Sequence, residues 1–171
     1  MKKLKFLKLI LLSISTFIFS TQALAQKPMA SPRDSVKGKV GTSEIHINYG
    51  SPSVKGRVIW GDLVPYGKVW RTGANEATRF STSKDIMIEG KKLEAGTYSF
   101  FAIPNEKEWI IIFNRTAKQW GAFDYKQNDD ALRVTVHPVK SSTNNERLIY
   151  KIHSGGFSLL WENLEIPVKI N

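Results

Sequence analysis

The chain has 171 residues, no cysteine and a formal net charge of +10. Stability must therefore come from packing rather than disulfides, and the length is sufficient for one hydrophobic core. The basic excess is scattered, and no basic stripe interleaved with aromatics marks a nucleic-acid surface.

The first eight residues, Met1 to Lys8, carry four lysines and no acid. An apolar run from Leu9 to Phe19 follows, interrupted only by Ser13, Ser15 and Thr16, and then Ala23-Leu24-Ala25. A basic stretch, an apolar stretch and small residues in this order predict a signal peptide over 1–25, with Gln26 as the mature start. The apolar run is shorter than the roughly 20 residues a spanning helix needs. No cysteine is present to carry a lipid anchor, so the expected product is soluble and exported, to the periplasm or the cell exterior. It would have 146 residues, with 21 Lys and Arg against 15 acids, about +6.

Residues 26–37 hold prolines and serines with few large apolar side chains, which predicts a flexible leader before a single domain over 38–171. Ile45, Ile47 and Tyr49 alternate with Glu44, His46 and Asn48, the period of a half-buried strand. Arg57 to Trp60 reads as a short apolar stretch, and Leu63 to Lys68, with Pro65 and Gly67, as an ordered loop. Val69 to Thr72 is expected to form a short strand and Ala77 to Thr82 a longer one. Ile86 and Ile88 alternate before Glu89-Gly90-Lys91, which is hairpin chemistry. Thr97 to Ile103 is a strand that stops at Pro104.

Trp109 to Phe113 is continuously apolar and predicts a strand covered on both faces. Leu132, Val134 and Val136 alternate with polar partners, as do Leu148, Tyr150 and Ile152. Phe157 to Trp161 and Ile166 to Ile170 are read as two final strands. Nine or ten short strands without an amphipathic helix point to an all-β antiparallel sandwich or jelly roll, with an antiparallel barrel as the alternative.

The segments Ser51 to Arg57, Leu63 to Thr78 (LVPYGKVWRTGANEAT), Ala95 to Ser99 (AGTYS) and Gln119 to Ala122 (QWGA) resemble an uncharacterised secreted family catalogued as domain of unknown function 2911, common in Bacteroidetes-type bacteria. The resemblance spans nearly the whole mature chain. It implies an envelope location and assigns no catalytic residue.

Read as chemistry, the same segment concentrates Tyr66, Trp70, Arg71, Asn75 and Glu76: aromatic surfaces, a planar donor fork, an amide and a carboxylate. With Trp120 in a glycine-bearing loop, these residues form a candidate site for a small polar ligand, a glycan or a partner protein. The competing structural reading pairs Arg71 with Glu76 or Asp62 and uses Trp60 and Trp70 as core. Trp120 is correspondingly either a cap over the core or an exposed stacking platform.

An envelope hydrolase using Glu76 as general acid or base is a further alternative. It needs a second carboxylate about 5 to 9 Å away; Asp62, Asp124 and Glu162 are available, and nothing in the sequence brings any of them close. A structural or assembly module is the third reading. His46, His137 and His153 lack the short His-x-His spacing of metal sites and each occupies the polar face of its strand, so no metal is expected. No phosphate loop, dinucleotide fingerprint or nucleophile elbow is present, and no cofactor is implied.

Overall fold

The computed structural model describes residues 30–171. The expected signal peptide and the first residues of the leader lie outside them. The first strand, β1 (Arg33–Val40), opens inside the stretch read as leader, five residues before the expected domain start at Gly38. Its half-buried Val36 lies opposite Ile47, so residues 33–37 of the apparently featureless stretch belong to the sheet's edge strand, and their charged side chains are those an edge tolerates.

Strand β1 pairs with β2 (Ser43–Gly50), whose Ile45, Ile47 and Tyr49 are buried as the alternation requires. Next come β3 (Thr78–Thr82), the hairpin β4 (Ile86–Ile88) and β5 (Lys91–Leu93), β6 (Gly96–Ile103) and β7 (Trp109–Asn114). A 3-10 turn at Gln127–Asp129 precedes β8 (Asp130–Val136), β9 (Val139–His153) and β10 (Gly156–Lys169). None of the described helices is long and apolar enough to cross a membrane.

Six strands form one antiparallel sheet in the order β1-β2-β3-β6-β7-β8, and β9 and β10 pair opposite it. The β4-β5 hairpin extends the second layer. Ile88 bridges Ile170, and the amide of Glu89 donates to the Lys169 carbonyl at 3.1 Å. At the other edge of β9, Val54 donates to the Glu146 carbonyl (2.8 Å) and Leu148 to that of Pro52 (2.9 Å). Among the described residues no ladder joins the two layers into a ring, which makes this a sandwich and not a barrel.

Two expectations differ in detail. Val69 to Thr72 is not a strand and contributes one isolated bridge, Trp70 to Ala102. The two final strands are one long strand, β10, whose register slips between Leu160 and Glu162 and again before Leu164. Glu162 sits there at φ 52, and such a bulge breaks the apolar alternation without ending the strand.

The inner faces meet in a core rich in aromatics. Phe113 lies 5.0 Å from Phe80 and 5.2 Å from Phe100, and Phe157 of the opposite layer lies 5.3 Å from Phe80. Strand β7 is covered on both sides, as its composition predicts. Trp109, Ile111 and Phe113 face the main core, while Ile112 joins Phe101 and Ala77 in a smaller cluster beneath Val69, Ala122 and Tyr125. Loops therefore roof the β6-β7 part of the outer face.

Truncating Phe113 to Ala should cost about 3–5 kcal/mol in chemical denaturation, whereas Met87→Ala, at an exposed position, should change stability by less than about 0.5 kcal/mol. The β4-β5 turn gives a second check. Glu89 (φ 48) and Gly90 (φ 78) both occupy left-handed backbone, the geometry of a type I′ hairpin. A Cβ at Gly90 would meet nothing within 4 Å, so Gly90→Val should destabilise by about 1–2 kcal/mol through backbone conformation alone.

Candidate functional site

The segment between β2 and β3 is long for a loop, and it is held at both ends. Thr72, fully buried at φ 52, donates its hydroxyl to the Phe100 carbonyl at 2.8 Å. Its own carbonyl accepts from Thr78 Oγ1 (3.0 Å) and from the Tyr150 hydroxyl (2.8 Å). Burial pushes the Tyr150 phenol well above its ordinary pKa, so it remains a donor. Nearby, Gly50 presses so closely on the backbone of Ala74 that a Cβ would sit 2.1 Å from that carbonyl oxygen. Only glycine permits this approach.

Beyond Thr72 the chain is tied to two other elements. Asn75, at φ 64, donates its side-chain amide to the Ser31 carbonyl (3.1 Å) and accepts at its own carbonyl from the Gly121 amide (3.1 Å). Glu76 bridges Trp120 through the backbone, and Ala77 donates to the Gln119 carbonyl at 3.0 Å. Gln119 is itself buried, with its amide donating to the Thr116 carbonyl (2.9 Å), Asn114 Oδ1 (3.0 Å) and Ser99 Oγ (3.1 Å). Arg71 therefore projects from a rigid backbone.

At one end of the sandwich Trp60 and Trp70 of this loop meet Trp109 of β7 and Trp161 of β10. Trp60 lies 5.1 Å from Trp109 and 5.7 Å from Trp161 in edge contacts, and Trp70 stacks on Trp161 at 6.0 Å and 16°. Both loop tryptophans pack against the core. This part of the structural reading holds.

The Arg71 part does not. Glu76 Oε2 pairs instead with Arg33 Nη1 at 3.0 Å. The reason lies in the β1-β2 register: Arg33 stands opposite Gly50, which packs on Ala74 and so brings the β1 side chain to Glu76. Among the described residues no hydrogen bond or ion pair engages the Arg71 guanidinium, and its Nε is buried without a partner. Burial lowers its pKa, and no neighbouring charge offsets that effect.

Arg71 lines a cleft of about 250 Å³ together with Trp70, Trp161, Asn75, Arg57 and Leu63. The Arg57 head donates back to the Val54 carbonyl at 3.0 Å and to that of Ser53, leaving Arg71 as the uncommitted cation. The Arg71 head also approaches the turn around Gly121, which is outside the cleft lining. A Cβ there would be 2.9 Å from the Phe123 ring and 3.9 Å from Arg71 Nη1. Trp120 and Phe123 on this turn are 61% and 84% exposed, so Trp120 is an open platform rather than a cap.

Of the residues singled out from sequence, Trp70, Arg71 and Asn75 line the cleft. Glu76 and Trp120 are backbone neighbours of that group without lining it. Tyr66 lies apart, against the turn at Gly61. Sequence reasoning missed Trp161, Arg57, Leu63 and Phe123. Trp161 had a readable signal, since it stands where the β10 alternation breaks, but nothing local reveals that this end of β10 meets the loop.

The three histidines are separated. His46 lies on β2, His137 Nδ1 contacts the Lys107 carbonyl (3.0 Å), and His153 Nδ1 accepts from the Gly155 amide (3.3 Å). Among the described residues no group of three His, Asp or Glu side chains is placed to hold a metal ion.

No curated protein and no solved structure matches the chain. A family model described as protein of unknown function (DUF2911) matches residues 31–170, which takes in every strand, the loop that carries Arg71 and the Trp120 turn, and the chain belongs to that family.

Proposed function

We propose that the chain is an exported binding module that captures a small ligand bearing a carboxylate or similar anionic group and an apolar face. The observation that carries this reading is the Arg71 guanidinium, half-buried in the cleft and without an anionic partner among the described residues. Desolvating a cation without compensation lowers stability, so such a group is most readily understood as held for a ligand. A planar donor fork matches a carboxylate with two parallel hydrogen bonds, and these are stronger than neutral ones.

The surroundings suit the rest of such a ligand. The half-buried Trp70 ring offers an apolar wall backed by buried Trp161, and Trp120 and Phe123, outside the cleft lining, are exposed on the neighbouring Gly121 turn. Glu76 Oε2 is paired with Arg33, and among the described residues no carboxylate lines the Arg71 cleft to serve as an acid–base pair. The expected signal peptide supports a location outside the cytoplasm, where small exported solutes and glycans are the available ligands.

Titration of intrinsic tryptophan fluorescence with benzoate, glucuronate and inorganic phosphate tests the idea. At least one carboxylate should give a saturable change. Arg71→Ala should weaken its binding at least tenfold, about 1.4 kcal/mol, while Glu76→Gln should leave the affinity near wild type. Equal affinity in Arg71→Ala and wild type would remove the reading. A thermal melt adds an independent check. Arg71→Met replaces an unpaired half-buried charge with an apolar chain of similar length and should unfold no lower than wild type.

A further inference from the structure

The outer face of the six-stranded sheet is roofed over the end of β6 at Phe101 and Ile103 and over β7, and open over β1, β2, β3 and the end of β6 at Gly96 and Thr97. The open part is a groove of about 620 Å³ that continues into a smaller hollow of about 210 Å³, the two sharing His46, Ser81 and Thr97. The groove follows from side-chain length. Short hydroxyl residues, Ser81 and Thr97, occupy the floor, while Lys37 and Arg79 stand at its sides and the roofed half rises beyond.

The strand register arranges these groups in rows. Lys37 lies opposite His46, His46 opposite Ser81 and Ser81 opposite Thr97; one step along, Asn48 lies opposite Arg79 and Arg79 opposite Ser99. Polar groups thus recur at the strand spacing of about 4.8 Å. Several lack partners among the described residues: His46 Nε2, Asn48 Oδ1 and Arg79 Nε are buried without a hydrogen bond. The charge is also uncompensated. Glu44, the groove's acid, is taken by Lys39 at 3.8 Å, and no described carboxylate pairs with Lys37 or Arg79. Burial first, then Lys37 and Arg79, lowers the His46 pKa, as a positive local field requires.

We infer that this groove is a second binding site, for an acidic sugar or short acidic oligosaccharide. Hydroxyls, an amide and a ring nitrogen on the floor match a polyhydroxylated ligand, and the two free cations select an acidic one. The volume lies in the range of sites for drug-sized ligands and exceeds what one inorganic anion fills. Among the described residues no aromatic side chain lines the groove, which disfavours both nucleic-acid stacking and a neutral sugar that would rely on a ring platform. Nor does an apolar wedge project from it to enter a bilayer. The site shares no lining residue with the Arg71 cleft and stands independently of it.

Calorimetric titration at low salt with trigalacturonate, neutral galactotriose, inorganic phosphate and phosphatidylglycerol vesicles tests the assignment. Trigalacturonate should bind at least tenfold more tightly than galactotriose or phosphate. Arg79→Gln and Lys37→Gln should each weaken it several-fold, and Arg71→Ala should not. Lys37 is exposed on the edge strand, so Lys37→Gln carries the test even if Arg79→Gln lowers the melting temperature. Binding of phosphate or vesicles as tight as that of the trisaccharide would reduce the groove to bare charge attraction and overturn the inference. So would an affinity for trigalacturonate unchanged in Lys37→Gln, or no trigalacturonate binding at all.

Discussion

Four indoles from both layers and from one long loop meet at one end of the sandwich, and that contact anchors the loop from which Arg71 projects and sets Trp70 against Trp161 in its cleft. Ordering a loop costs about 1–2 kcal/mol per residue, and a segment as long as 51–77 stays fixed only if it buries substantial apolar surface. It does so with Ile59, Val64, Trp60 and Trp70. Trp109 from β7 and Trp161 from β10 supply the surfaces that receive them. The indole N–H groups of Trp60, Trp109 and Trp161 are buried without acceptors among the described residues, so the cluster holds by packing and edge geometry rather than by hydrogen bonding.

The same loop creates the asymmetry of the large sheet. By crossing the outer face of β6 and β7 with Val69 and Ala77, and with help from Ala122 and Tyr125, it converts half of a solvent-facing surface into a second small core. Tyr125 is anchored there by a 2.7 Å hydrogen bond to Asp130, and burial pushes its phenol up to about 12. The remaining half of that face keeps its polar residues in the open. Cleft and groove thus arise from one packing decision, the first at the loop's buried end and the second where its cover stops.

Much of the architecture was legible because period-two alternation reports burial directly. Ile45, Ile47 and Tyr49, and later Leu148 and Tyr150, are buried where the pattern puts them. The continuous run Trp109 to Phe113 likewise signalled a strand with two covered faces. Edge and bulge were not legible. Strand β1 buries too little to show a pattern, and its residues are fixed by pairing with β2 rather than by their own hydrophobicity. At Glu162 the chain's local logic was lost to a bulge set by tertiary contacts.

The candidate site divides in the same way. That Trp70, Arg71 and Asn75 would lie together was legible from their nearness in sequence. That Glu76 would turn to Arg33, and Trp161 face Trp70, depends on contacts between residues far apart in the chain, which no local pattern encodes. The central claim is that the tryptophan cluster holds the Arg71 loop as firmly as the strands themselves. Native-state hydrogen exchange of the Trp70 amide, bonded to the Ala102 carbonyl at 2.8 Å, tests it most directly. Exchange only through global unfolding, at the rate of the β7 amides, is the predicted result; rapid exchange through local opening of the loop would contradict it.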